Sequence, residues 1–204
     1  MALALNSFLP WCEQPRGLCL AGTRGFAELH FDGRCPTGVR GTPPHIDVIA
    51  SGPQGVVGAT VRVFDYLGPR RSQLSAAYRS LRVAEEMQGW VELMGDGASF
   101  QHLDVASLAK IAIGLQRIFV RRPIRLLYLF LEPFGHPASA FAAHRAELER
   151  LGAITGSSAV AFSACSFHEL WRSWGAEDTP ERVRAIAAEL AHRYNVVMPR
   201  RRPL

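Results

Sequence analysis

The chain has 204 residues, 48% of them hydrophobic and 20% charged, with a formal net charge of +5. That balance excludes a disordered or fibrous chain and suits one domain with a sizeable core. No apolar run approaches the roughly 20 residues that a membrane-spanning helix needs, and the mildly apolar first ten residues lack a basic leader, so a cytoplasmic protein is expected.

In chain order, residues 7–14 suggest a short helix, which Pro10 weakens. Residues 26–32, 46–50 and 56–65 read as strands, with a Gly/Pro-rich loop over 36–44 and a Ser-Gly-Pro-Gln-Gly turn at 51–55. They form an antiparallel meander. Leu74, Tyr78, Leu81 and Ala84 recur at helical spacing and predict a helix over 73–87. Asp104 is placed to cap a helix over 105–119. The all-apolar run 124–131 reads as a strand covered on both faces. A helix over 137–151, a strand over 159–165 and a short helix over 167–174 follow. Thr179 and Pro180 open a last helix to about Tyr194, as cap and first residue. The basic tail spans 199–204. A meander followed by alternating strands and helices is mixed α/β, a sheet flanked by helices.

Four cysteines, Cys12, Cys19, Cys35 and Cys165, lack paired spacing and read as free thiols rather than a zinc site. His136, His144 and His168 fall on different elements without ligand spacing, and read as surface or satisfied histidines.

One constellation carries chemistry. Asp47 lies on the second strand; after twelve intervening residues the third strand brings Thr60 and Arg62. Residues two apart on a strand share a face. A metal-dependent nuclease uses such a frame: a carboxylate on one strand, then a carboxylate and a lysine two residues apart on the next. The carboxylates hold Mg²⁺, the metal activates water, and the lysine steadies the water or the phosphate.

Thr37-Gly38-Val39-Arg40-Gly41-Thr42-Pro43-Pro44-His45-Ile46-Asp47-Val48 resembles the approach to the first metal-binding Asp of a restriction-endonuclease-like family in the PD-(D/E)XK superfamily. The stretch from Val57 through Thr60-Val61-Arg62 to Asp65-Tyr66-Leu67 resembles that family's Glu-x-Lys strand and its sequel. Leu103-Asp104-Val105-Ala106-Ser107-Leu108-Ala109-Lys110 resembles the next helix, and Leu126 to Pro133 the following strand and turn. His144-Arg145-Ala146-Glu147-Leu148 and Phe167-His168-Glu169-Leu170-Trp171 resemble the later helices. The resemblance covers about residues 24–175 and implies a restriction-endonuclease-like α/β fold.

It also implies a damaged site. The family's Glu is Thr60 here, its catalytic Lys is Arg62, and its helix Gln and His correspond to Ser107 and Ile111. Asp47 and Lys110 remain. Asp47 is thus either a weak Mg²⁺ ligand or a capping or pairing residue, and an Asp47–Arg62 salt bridge would fill the former metal site. Asp65, Glu85 or Glu86 would supply a migrated carboxylate if cleavage survives.

Lys110 is the only lysine; the other basic residues are arginines, whose planar fork suits phosphate. Arg40, Arg70, Arg71, Arg121 and Arg122 are candidate DNA contacts, and the alternative is an ordinary basic surface. Three readings follow: a pseudo-nuclease that binds DNA or a partner, a live Mg²⁺-dependent deoxyribonuclease, or a scaffold that binds no nucleic acid and assembles with a partner protein or further copies of itself.

Overall fold

A computed structural model describes residues 2–67, 76–78, 81–95, 99–133 and 141–196. Its centre is a five-stranded mixed sheet in the order β1-β2-β3-β4-β5. The strands are β1 (Glu28–Arg34), β2 (His45–Gly52), β3 (Gly55–Arg62), β4 (Ile124–Phe130) and β5 (Val160–Ser166). The β1–β2 and β2–β3 pairs are antiparallel, and β3–β4 and β4–β5 are parallel. The expected mixed α/β architecture, a sheet flanked by helices that opens with an antiparallel meander, is therefore present, and its second half is parallel.

Helices cover both faces, because successive strand residues point to opposite sides. Leu126, Tyr128 and Phe130 of β4 join one core. That core also holds apolar residues of α2 (Gln88–Gly95), α3 (Val105–Ile118) and α4 (Ala142–Thr155). Leu127, Leu129 and Leu131 join the other. There they meet residues of α1 (Ala2–Phe8), α5 (Phe167–Ser173) and α6 (Glu181–Arg193). Two close approaches need glycine. A Cβ on Gly52 would meet the Gly25 carbonyl at 2.4 Å, and one on Gly114 would meet the Cys35 carbonyl at the same distance.

Several boundaries differ from expectation. Among the described residues of the expected 73–87 helix, 76–78 and 85–87 are single 3₁₀ turns, and Ala84 is extended at φ −60°, ψ 151°. The α-helix begins at Gln88 instead. Its anchor is Trp90, fully buried, with its indole N–H donating to the Val160 carbonyl at 2.8 Å. The third strand stops at Arg62 rather than Asp65, where a 3₁₀ turn over Asp65–Leu67 takes the chain off the sheet. The N-terminal helix starts earlier, at Ala2, and gives way at Leu9–Trp11 to a 3₁₀ turn that contains Pro10. Helix α4 runs past Leu151 to Thr155, whose hydroxyl donates to the Leu151 carbonyl. Pro180, not Thr179, is the cap of α6. The cap expected at Asp104 is present: its carboxylate accepts the Ser107 N–H at 3.0 Å.

Candidate functional site

The meander brings the candidate residues to one end of the sheet. Strands β2 and β3 pair from Gly52↔Gly55 to Val48↔Ala59. Asp47 and Thr60 lie just past the last of these pairs, and the β3–β4 register sets Thr60 beside Tyr128 and Arg62 beside Phe130.

The three residues do not assemble as a metal site. The Asp47 carboxylate accepts the main-chain N–H of Val61 at 2.8 Å, just past the last β2–β3 pair. It acts as a side-chain rung where the two backbones part, since a half-buried N–H needs an acceptor. Thr60 is only 1% exposed. Arg62 turns Nη1 to the Val61 carbonyl at 2.9 Å. The direct Asp47–Arg62 pair expected from the sequence is not among the described ion pairs; both side chains engage the Val61 peptide groups instead.

Beside Arg62 lies a cleft lined by Asp65, Tyr66, His102, Asp104, Leu108 and Tyr128, with a volume of about 20 Å³. A single water needs roughly 10–15 Å³, so this space suits a water and not a phosphodiester. Two of its walls are already committed: Asp104 caps α3, and the Tyr66 hydroxyl donates to the Leu131 carbonyl at 2.7 Å. His102 Nδ1 lies 3.1 Å from the Tyr66 carbonyl. A carbonyl only accepts, so that nitrogen carries the proton. Asp65 reaches this cleft because the 3₁₀ turn, not strand alternation, sets its direction.

Other candidates lie elsewhere. Lys110 holds its ammonium 5.1 Å from the centre of the Tyr78 ring, and the Tyr78 hydroxyl lies 3.0 Å from that of Thr37. Glu86 offers its carbonyl to Ala159 N–H and the Ser158 hydroxyl, just before β5 begins. Because β3, β4 and β5 are parallel, that is the far end of the sheet from Arg62, roughly 20 Å away along the strands. Glu85 sits in the same turn. Arg121 and Arg122 are also at the far end: the Arg122 guanidinium donates to the Gly52 carbonyl in the β2–β3 hairpin. Arg122 is thus half-buried, Arg121 exposed, and Arg40 exposed in the loop before β2. Arg70, Arg71, His136 and the tail 199–204 lie outside the described residues.

Sequence reasoning missed the role of His144. It is 2% exposed, stacked on Tyr66 with ring centres 4.1 Å apart and set edge-on to Phe130 at 4.9 Å. Neither ring nitrogen has a hydrogen-bond partner among the described residues. Burial pushes its pKa down to about 4, and His102 and Arg145 add to the effect. The surrounding rings come from three separate segments, so no local pattern marks it.

A larger groove of about 360 Å³ follows β5 under α4, lined in part by Phe130, Arg145, Glu149, Phe162, Cys165 and Glu169. Arg145 grips Glu132 through both a 2.9 Å and a 2.6 Å contact. The Cys165 thiol is pushed up to about 12 by burial and, secondarily, by Glu169, so it stays protonated and unreactive near neutral pH.

Among the described residues no group of three or more His, Cys, Asp or Glu side chains is placed to hold a metal, and no helix is long and apolar enough to cross a membrane. No family profile, curated protein or solved structure matches the chain.

Proposed function

We propose that this chain is a restriction-endonuclease-like domain that does not cleave DNA and works by binding, with the phosphate backbone of DNA as its ligand. The observation that carries the reading is the occupied state of the inherited positions. Asp47 spends its carboxylate on the Val61 N–H, Thr60 is sealed in the core, and the adjoining cleft has room for about one water. Magnesium needs hard oxygen ligands with enough negative charge to replace part of its water shell. One engaged carboxylate and one threonine hydroxyl do not fit it. The segment order of the resemblance, a meander and then a helix leading to a parallel strand, agrees with the sheet and supports the nuclease-like ancestry. The net charge of +5 supports a polyanionic ligand.

The test is nicking of a supercoiled plasmid with Mg²⁺ or Mn²⁺ by the parent chain and by Asp47→Ala. The expected result is no nicking by either, with a lower melting temperature for the variant, whose Val61 N–H loses its acceptor. Nicking by the parent that vanishes in Asp47→Ala refutes the proposal. The double change Thr60→Glu with Arg62→Lys restores the second acidic ligand and the lysine. Mg²⁺ is expected to raise the melting temperature of that variant and leave the parent unchanged.

A second reading is favoured by one residue. Asp65 lines the same cleft as Arg62, so it is the candidate for a migrated carboxylate, ahead of Glu85 and Glu86 at the far end of the sheet. If Mg²⁺ stabilises the parent and Asp65→Ala abolishes that effect, the domain is a working enzyme.

A further inference from the structure

The two edges of the sheet differ. On β1, Glu28, His30, Asp32 and Arg34 alternate along the strand, and Asp32 adopts a φ of 52°. Charges and irregular backbone are the usual guards of an exposed edge. The sequence of β5 is Val160-Ala161-Phe162-Ser163-Ala164-Cys165-Ser166, with no charge and no proline. Among the described residues its one strand partner is β4.

We propose that the free edge of β5 pairs antiparallel with β5 of a second copy of this chain, about a two-fold axis at Ser163, joining the two sheets into one.

A strand residue sends its N–H and C=O to the same side, and the side alternates along the strand. The Val160 carbonyl accepts the Trp90 indole N–H, and the Ser166 N–H donates to the Glu169 carboxylate at 2.6 Å. Even-numbered residues therefore face outward, and both ends of the edge are already capped from within the chain. Phe162 and Ala164 are left as the outward pair between the caps. Only a two-fold at Ser163 pairs these two with each other. An axis at Phe162 would match Ala164 with the capped Val160, and one at Ala164 would match Phe162 with the capped Ser166. At Ser163, Phe162 lies opposite the partner's Ala164, a large ring against a methyl. Both such pairs are of the hydrogen-bonded type.

Charge agrees with the same axis. Arg145 and Glu149 of α4 line the groove along β5. A two-fold at Ser163 would run the two α4 helices in opposite directions and bring Arg145, which already holds Glu132 in its own chain, toward the partner's Glu149, and the reverse, as a self-complementary interface requires.

The experiment is sedimentation equilibrium over a wide concentration range on the parent and on Ala164→Pro. Proline removes only an outward N–H, so the β4–β5 ladder is kept. The expected result is a reversible dimer whose association falls at least tenfold in Ala164→Pro. A second variant does not depend on that one folding. Residue 163 would sit in a non-hydrogen-bonded pair, with Cα atoms about 4.5 Å apart, inside disulfide range. Ser163→Cys is therefore expected to form a covalent dimer on mild oxidation, beyond any cross-linking of the parent through the exposed Cys12. A chain that is monomeric at every concentration, with no cross-link specific to Ser163→Cys, overturns the proposal. So does a dimer that a folded Ala164→Pro leaves intact. Both readouts are independent of cleavage and of DNA binding.

Discussion

At the level of single residues, the Asp47 carboxylate and the His144 ring are each fixed by groups that reach them from other segments. Strand alternation carried Asp47 and Thr60 to the ends of neighbouring strands, and they lie just past the last β2–β3 pair, Val48↔Ala59. It could not show that β2 and β3 part at that point and that the Val61 N–H claims the carboxylate. His144 was less legible still, since its burial depends on Tyr66, Tyr128 and Phe130 arriving from elsewhere. Its titration has a measurable consequence. An unfolded histidine has a pKa of about 6.5, whereas in the fold that of His144 is pushed down to about 4. The folded state binds fewer protons in between, so this stability is fully present above about pH 6.5 and is lost as pH falls from there toward 4. The loss is on the order of 3 kcal/mol. Urea unfolding at pH 7.5 and 4.5 checks it: His144→Phe is expected to remove most of the difference, and an unchanged pH profile would show that His144 does not titrate in this way.

At the level of elements, hydrophobic spacing located the strands and α3 well and failed around α2. The 73–87 pattern contains Leu81 and Val83, which pack against the core without being helical, whereas Trp90, Leu93 and Met94 give α2 its buried face between two glycines, Gly89 and Gly95. Glycines lower helix propensity, and here tertiary burial overrides it. A long-range tie of another kind secures the entry to α3. The Glu147 carboxylate of α4 accepts the main-chain N–H groups of Gln101, His102 and Leu103 at 2.7, 2.9 and 3.1 Å. Three converging donors form an anion-binding turn that the protein fills with its own side chain. Glu147→Ala is expected to destabilise the domain by about 1.5–3 kcal/mol, the scale for hydrogen bonds to a charged group. Glu147→Gln, which keeps one accepting oxygen, is expected to fall between the two in denaturant midpoint; a variant as stable as the parent would mean that water replaces the tie.

At the level of the whole molecule, the order of elements was readable from the chain, but which end of the sheet each loop reaches was not. Arg121 and Arg122 follow α3 and precede β4, and because β4 runs parallel to β3 they emerge beside the β2–β3 hairpin, far from Arg62. A DNA backbone held there would not cross the Asp47–Arg62 end of the sheet, as the proposed binding without cleavage requires. The arginines also divide by what each already does. Arg122 holds the Gly52 carbonyl and stacks over Phe119, whereas Arg121 and Arg40 are exposed. Binding to phosphate releases counterions, so log affinity falls linearly with log salt, and each lost contact flattens the slope by roughly 0.9. Titration of a labelled duplex at several salt concentrations is expected to show a flatter slope for Arg121→Ala or Arg40→Ala, with melting temperature kept. Arg122→Ala is expected to lower the melting temperature through the loosened hairpin. The pair Arg70→Ala and Arg71→Ala tests the remaining sequence candidates in the same assay. If the parent chain binds no duplex even at low salt, DNA is not its ligand and the proposed function falls.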